Sequence, residues 1–172
     1  MITEFEFTYC PNCASPFEKK DDHLVCTGCN LQYYVNPRPT NAVILHNKKN
    51  ELLLVKRKHN PQKGLWDLPG GFININETVE ESVHREVREE LNIRISNIQY
   101  MSSFYDTYEF RGIKAYTICF LFKANMINPK ELKPSDDAES LDFFAPDNIP
   151  FDQIAFEPMR EALLRLYKRI TP

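Results

Sequence analysis

The sequence predicts an α/β domain built on a mixed sheet with helices on both faces, preceded by a small β-rich appendage. Three observations carry this. Apolar residues recur at helical spacing in two segments: Val79, Val83, Val87 and Leu91, then Met159, Leu163, Leu166, Tyr167 and Ile170. Short apolar runs that read as buried strands alternate irregularly with these helices, which suits a mixed sheet covered on both sides. Residues 1–36 differ from the rest, with two Cys-x-x-Cys pairs among short β-prone pieces.

The elements follow in order. Within the appendage, Glu4–Tyr9, His23–Cys26 and Leu31–Val35 are β-prone. Asn36-Pro-Arg-Pro39 is a stiff junction, because each proline fixes φ and pushes its predecessor to extended backbone. The expected division is therefore 1–36 and 37–172. Ala42–Leu45 and Leu52–Val55 read as buried strands with a turn at Asn47–Asn50. Gly64 to Asn76 is a loop of turn formers, and a helix runs from about Glu77 to Leu91. Ile95–Tyr105 and Ala115–Ala124 are strands joined by the polar, aromatic Asp106–Gly112. Asn128–Asp137 is a loop, Ser140–Phe144 a short strand, and Glu157–Ile170 the closing helix.

The four cysteines Cys10, Cys13, Cys26 and Cys29 form two knuckles separated by twelve residues. Each Cys-x-x-Cys brings two thiolates to one ion, and two pairs complete a tetrahedral Zn²⁺ site with no open position. A redox dithiol needs one such pair, usually at a strand-to-helix turn, and no helix pattern follows either pair. Disulfides suit a secreted chain. The segment therefore reads as a zinc ribbon with a structural ion, too poor in apolar surface to fold without it. Cys119, inside an apolar run, reads as a core residue.

Composition bounds the function. The chain has 172 residues and a formal net charge of −3, so it has no general pull on nucleic acid or anionic membrane. Residues 1–36 hold Lys19 and Lys20 but no Arg, against Glu4, Glu6, Glu18, Asp21 and Asp22, the wrong sign for a nucleic-acid ribbon. The N-terminus lacks the apolar core of a secretory signal, and no apolar run approaches a membrane span. A cytoplasmic protein without membrane contact is expected.

Acids crowd the first long helix. Glu86, Glu89 and Glu90 stand at i, i+3 and i+4 and share one face. Three carboxylates there repel unless a cation joins them. Hard divalent ions such as Mg²⁺ take oxygen ligands and bridge carboxylates to substrate phosphates, so this face reads as a metal cradle for phosphate chemistry. Glu80 and Glu81 read instead as solvated helix surface.

The stretch GFININETVEESVHREVREELNI, from Gly71 to Ile93, resembles the signature of the Nudix hydrolase family. The signature positions fall on Gly71, Glu77, Arg85, Glu86, Val87, Glu89, Glu90 and Ile93. One position departs: the family's last glycine is Asn92 here, the best non-glycine residue for a left-handed backbone. Flanking segments resemble the family too, over most of residues 40–170. The resemblance implies an α/β/α sandwich with a mixed sheet and Mg²⁺ or Mn²⁺ held by Glu86, Glu89 and Glu90. It also implies a backbone carbonyl ligand at Gly70 or Gly71, and a supporting ion pair between Glu77 and Arg85. Family members differ on which acid is the base, so none is assigned.

Other residues have two readings each. Lys56 and Arg57 could touch phosphate or simply lie at the surface. Trp66 could stack on a base or pack. Asp136, Asp137 and Glu139 resemble an acidic loop that adds a ligand or base in some family members. Phe104, Tyr105, Tyr108 and Phe110 could form a stacking wall or core.

The expected function is metal-dependent hydrolysis of a phosphoanhydride in a nucleoside diphosphate linked to another moiety, such as NADH or ADP-ribose. A zinc ribbon ahead of this domain is similar to the NADH pyrophosphatase branch. The residues after Asn92, IRISNIQYMSSFYDTY, lack that branch's Ser-Gln-Pro-Trp-Pro-Phe-Pro motif, so the nucleotide substrate stays open. The alternative is a non-catalytic nucleotide sensor or a ribbon that binds nucleic acid. Sensors of this kind usually lose box glutamates, and all are present here. A homodimer through the ribbon is compatible with the hydrolase reading.

Overall fold

A computed structural model describes residues 7–110, 113–134 and 138–168; the side chains of 108–110 and 113–115 lie outside the description. The chain divides into two compact units, Met1–Pro37 with Arg111–Ile113, and Arg38–Phe110 with Lys114–Pro172.

The first unit holds strands β1 (Phe17–Lys19), β2 (His23–Cys26) and β3 (Gln32–Tyr34) in an antiparallel sheet ordered β1-β2-β3. Among the described residues its first strand is Phe17–Lys19. Residues before Phe7 lie outside the described set, and Tyr9 makes only an isolated bridge to Pro16. Phe17–Lys19, outside the β-prone pieces read from sequence, pairs antiparallel with β2.

The second unit contains β4 (Arg38–Leu45), β5 (Leu52–Arg57), β6 (Trp66–Asp67), helix α1 (Val79–Leu91), β7 (Ile95–Phe110), β8 (Ile113–Met126), β9 (Ala138–Phe144) and helix α2 (Glu157–Tyr167). Its strands form two three-stranded sheets, β4-β8-β7 and β6-β5-β9, with β4 parallel to β8 and β5 antiparallel to both neighbours. The mixed α/β class holds.

Period-2 alternation builds two cores. Ala42 and Ile44 of β4, Leu52 and Leu54 of β5, and Cys119 and Leu121 of β8 pack with Met159 and Leu163 of α2. Their neighbours Val43, Leu45, Leu53, Val55, Phe122 and Ala124 turn the other way, onto Val83, Val87 and Leu91 of α1. Strands buried on both faces need unbroken apolar runs, which is what TNAVIL and ELLLV supply. Leu166 of α2, expected on the apolar stripe, is 42% exposed instead, because α2 buries a narrower face centred on Met159 and Leu163. Ile170 lies outside the described residues. No helix among the described residues is long and apolar enough to cross a membrane.

Local chemistry sets the ends of α1. Thr78 accepts from the Glu81 backbone N–H at 3.2 Å, and Glu81 accepts from the Thr78 N–H at 2.8 Å. Glu81 is therefore part of a capping box rather than free surface. Asn92 closes the helix at φ 56°, with its N–H donating to the Arg88 carbonyl at 3.0 Å. A left-handed residue with a Cβ costs about 1–2 kcal/mol unless it is Asn, Asp or Gly. Asn92→Gly should accordingly leave thermal stability unchanged, and Asn92→Ala should cost about 1 kcal/mol in denaturant unfolding.

Candidate active site

The acidic face of α1 meets the turn that follows β6. Gly70 and Gly71 are the residues that let it come close. A Cβ on Gly71 would lie 2.6 Å from Glu86 Oε1, so the Glu86 carboxylate rests directly on the Gly71 backbone. A Cβ on Gly70 would lie 2.2 Å from the Asn41 carbonyl oxygen, at a φ of +148°. The Gly70 N–H donates to Glu90 Oε2 at 3.1 Å. Glu86 and Glu90, one helical turn apart, thus grip the two glycines.

The carbonyls of Pro69 and Gly71 both accept from β4, from the N–H groups of Val43 and Asn41, each at 2.9 Å. Those two oxygens are engaged. The Gly70 carbonyl has no backbone partner of this kind among the described residues, so of the two glycine carbonyls it is the one free to take a cation.

Arg85 organises the acids. Its Nε reaches Glu77 Oε2 at 2.9 Å and its Nη2 reaches Glu77 Oε1 at 2.7 Å. Nη2 also donates to the Phe72 carbonyl at 2.9 Å. Nη1 donates to Glu86 Oε1 at 2.7 Å and Glu89 Oε2 at 3.0 Å. One guanidinium therefore ties the 72–77 loop to the helix and stands between two box carboxylates. The Arg85 hydrogen bonds hold Glu77 down at about 2.

The three box acids differ sharply in setting. The Glu86 side chain is 13% exposed and that of Glu89 is 61% exposed. Burial raises Glu86 above the usual carboxylate range and pushes Glu90 up to about 8, with the Gly70 N–H pulling Glu90 back. The three do not converge as they stand: among the described residues, only the four cysteines bring three or more ligand atoms within 4.8 Å of one another. The donor set still suits a hard divalent ion, being carboxylate and carbonyl oxygen throughout. Two desolvated carboxylates held up by burial are groups that a cation would relieve.

Outside the box, Trp66, Phe104 and Cys119 pack, while Arg57 and Lys56 pair with nearby acids. Arg57 makes no hydrogen bond to the box acids among the described residues, though its charge pulls Glu90 down. It donates to Asp67 Oδ2 at 3.0 Å and to the Pro61 carbonyl at 2.9 Å, with its guanidinium 5.0 Å from the Phe156 ring centroid. Lys56 lies 3.5 Å from Glu139 in an ion pair on neighbouring strands. Asp136 and Asp137 lie outside the described residues. Trp66 packs edge-on to Phe144 at 5.0 Å, and Phe104 packs against the α2 core. Tyr105 is exposed and stacks on Tyr116 at 6.2 Å. The side chains of Tyr108 and Phe110 lie outside the described set. Cys119 is buried in the core, where desolvation pushes its thiol up to about 12.

Asp67 is a buried acid that the sequence reading passed over. Burial raises it to about 6 against the pull of Arg57. Its only sequence signal is a charge in an otherwise apolar Leu-Trp-Asp-Leu run. Asn41 and Ser82 were also missed. Their side chains join β4 to α1 through a buried hydrogen bond of 2.7 Å. Asn41 was legible only as a polar residue next to an apolar strand.

In the first unit the four cysteine sulfurs gather. Cys10 and Cys29 Sγ lie 3.7 Å apart, and Cys13 and Cys26 Sγ lie 3.3 Å apart. Tetrahedral zinc with Zn–S bonds near 2.3 Å places its sulfurs about 3.8 Å apart, so this cluster could hold such an ion. The N–H groups of Gly28 and Cys29 both donate to Cys26 Sγ at 3.4 Å and offset part of the burial that raises Cys26 to about 11. Hydrogen bonding from Ser15 lowers Cys13 to about 6.

Known proteins share this architecture. The NUDIX domain family matches residues 36–169. An ADP-ribose pyrophosphatase of Methanocaldococcus jannaschii is 38% identical over 122 residues, covering 71% of this chain and 68% of that protein. An NAD-capped RNA hydrolase, NudC, of Pseudomonas aeruginosa is 26% identical over 144 residues, and the chain spans only 49% of its length. The crystal structure of a NUDIX hydrolase from Nitrosomonas europaea superposes with a TM-score of 0.73 at 26% identity, covering 94% of this chain and 91% of that one. With most of its length matched, and the box acids set against the glycine pair, the chain belongs to the NUDIX domain family.

Proposed function

We propose that the chain hydrolyses the phosphoanhydride of a nucleoside diphosphate joined to a second moiety, with ADP-ribose as the leading substrate. The observation that carries this is the clamp of Glu86 and Glu90 on the Gly70–Gly71 backbone, fixed from outside by the Glu77–Arg85 pair. The 38% identity to an ADP-ribose pyrophosphatase favours that substrate class.

In this reading Glu86, Glu89, Glu90 and the Gly70 carbonyl hold Mg²⁺ or Mn²⁺. A divalent ion there offsets the charge that gathers on phosphate oxygens and makes bound water more acidic. Arg85 keeps Glu77 and the 72–77 loop docked, and it orients Glu86 and Glu89 from behind. Water supplies the oxygen that joins one phosphorus; the bridging oxygen leaves with the other half and takes up a proton. Burial raises Glu90 to about 8, and a cation held beside it would lower that value and let the carboxylate accept water's proton.

Catalysis is assigned to residues 37–172, and residues 1–36 to a zinc ribbon that staples the N-terminus. The test is a panel of ADP-ribose, NADH, NAD⁺, FAD, dinucleoside polyphosphates and nucleoside triphosphates with Mg²⁺ or Mn²⁺, products resolved by chromatography. ADP-ribose should give AMP and ribose 5-phosphate with the highest kcat/KM. Binding of ADP-ribose without cleavage of any compound would favour a nucleotide sensor instead.

A further inference from the structure

Asn41 is a polar residue in a place that fold stability does not ask for. Val43 and Leu45, the next residues on the same face of β4, are apolar and fully buried against α1. Asn41 is 3% exposed, and its Oδ1 has no hydrogen-bond partner among the described residues. A buried acceptor left unmet costs about 1–3 kcal/mol. A plain apolar residue would avoid that cost, so the amide calls for another explanation.

Its other contacts supply one. The Asn41 N–H donates to the Gly71 carbonyl at 2.9 Å. Its own carbonyl oxygen fills the space where a Gly70 Cβ would lie, 2.2 Å away. Its Nδ2 donates to Ser82 Oγ at 2.7 Å. Ser82 Oγ also accepts from Arg85 Nη2 at 3.2 Å, and its hydroxyl is among the hydrogen bonds that lower Glu77. Arg85 in turn holds Glu86 and Glu89. One residue therefore touches the glycine backbone with its main chain and the acidic helix with its side chain.

We propose that Asn41 is a positioning residue: through Ser82 it sets the Gly70–Gly71 backbone in register with the carboxylates of α1, and so shapes the cation site. This rests on the hydrolase reading above. The Gly70 N–H to Glu90 and Arg85 to Phe72 bonds also join these segments, and the buried Asn41–Ser82 bond adds a tie to both from β4. A misplacement of about 1 Å at a reacting centre can cost 10²-fold, and partners that orient metal ligands typically govern 10–100-fold in metal affinity.

The experiment compares wild type, Asn41→Leu, Ser82→Ala and the double variant. Manganese binding is measured by the electron paramagnetic resonance signal of free Mn²⁺, together with kcat, KM and melting temperature. Leu is close to Asn in shape and removes the unmet acceptor, so Asn41→Leu should melt within a few degrees of wild type. Its Mn²⁺ affinity should nonetheless fall about 10-fold, with kcat falling similarly and KM for ADP-ribose little changed. Ser82→Ala, a one-atom deletion, should weaken Mn²⁺ in the same direction even where Asn41→Leu folds poorly. The double variant should be no worse than the weaker single, since both cut one connection. Folded single variants that bind Mn²⁺ within twofold of wild type overturn the inference alone. Wild type that takes up no Mn²⁺ overturns it together with the hydrolase reading.

Discussion

Glu90→Gln should cut turnover sharply and raise the melting temperature of the metal-free protein at pH 7.5. Both results follow from one setting. Glu90 is buried under the Gly70 N–H, and desolvation pushes its carboxyl up to about 8. The unfolded chain releases this proton near the ordinary value of 4.5, whereas the fold keeps it until about 8. Stability tied to this group is thus fully present below 4.5 and is lost as pH climbs through 8. Gln does not ionise, and its amide oxygen can still accept from Gly70. The variant should match wild type near pH 4.5 and pull ahead as pH rises. With saturating Mg²⁺ the order should narrow or reverse, because only wild type gains from the bound ion. Turnover should fall at least on the order of 10²–10³-fold, the scale for removing one group that offsets transition-state charge. A metal-free variant that melts below wild type at pH 7.5 would show that Glu90 is not a desolvated carboxylate. Glu89, largely exposed, should affect activity without moving the metal-free melting temperature.

Cys26→Ala should strip zinc from the protein and unfold the first unit. β1, β2 and β3 are three to four residues each, and of their side chains only Leu24 and Cys26 are buried. In the proposed reading, an ion that draws the four sulfurs together would fold such a piece; structural zinc contributes roughly 10–16 kcal/mol in small ribbons and fingers. Atomic absorption should find one zinc per wild-type chain and none in the variant. Backbone amides of residues 17–34 should exchange rapidly in the variant, while those of β4, β5 and α1 stay protected by their own cores. A zinc-free wild type whose ribbon amides resist exchange would contradict this.

The parts of this account that were legible in sequence share a cause: their chemistry is local. Box acids must recur at helical spacing to face one ion, and thiolates must pair with two residues between them to share another. The capping box at Thr78 and Glu81 was legible in the same way but was passed over, because a Glu-rich helix surface explains both residues equally well. Asn92 took the left-handed turn that its residue type allows. What escaped is long-range. Nothing local tells that β4 pairs with β8 while β5 pairs with β9, since both strands read as the same apolar run. Arg57 read as a phosphate contact or a surface residue, and its pairing with Asp67, ten residues on, was in neither reading. The Asn41–Ser82 bond spans forty-one residues and leaves no periodic trace.

The most direct test of the central claim is anomalous diffraction from a crystal soaked in Mn²⁺ with a non-hydrolysable ADP-ribose analogue. The account predicts a peak within about 2.0–2.3 Å of the Gly70 carbonyl and of carboxylate oxygens from Glu86 and Glu90, with the pyrophosphate beside it. Clear density for the analogue with no metal at those oxygens, or with Mn²⁺ bound only elsewhere, would contradict it.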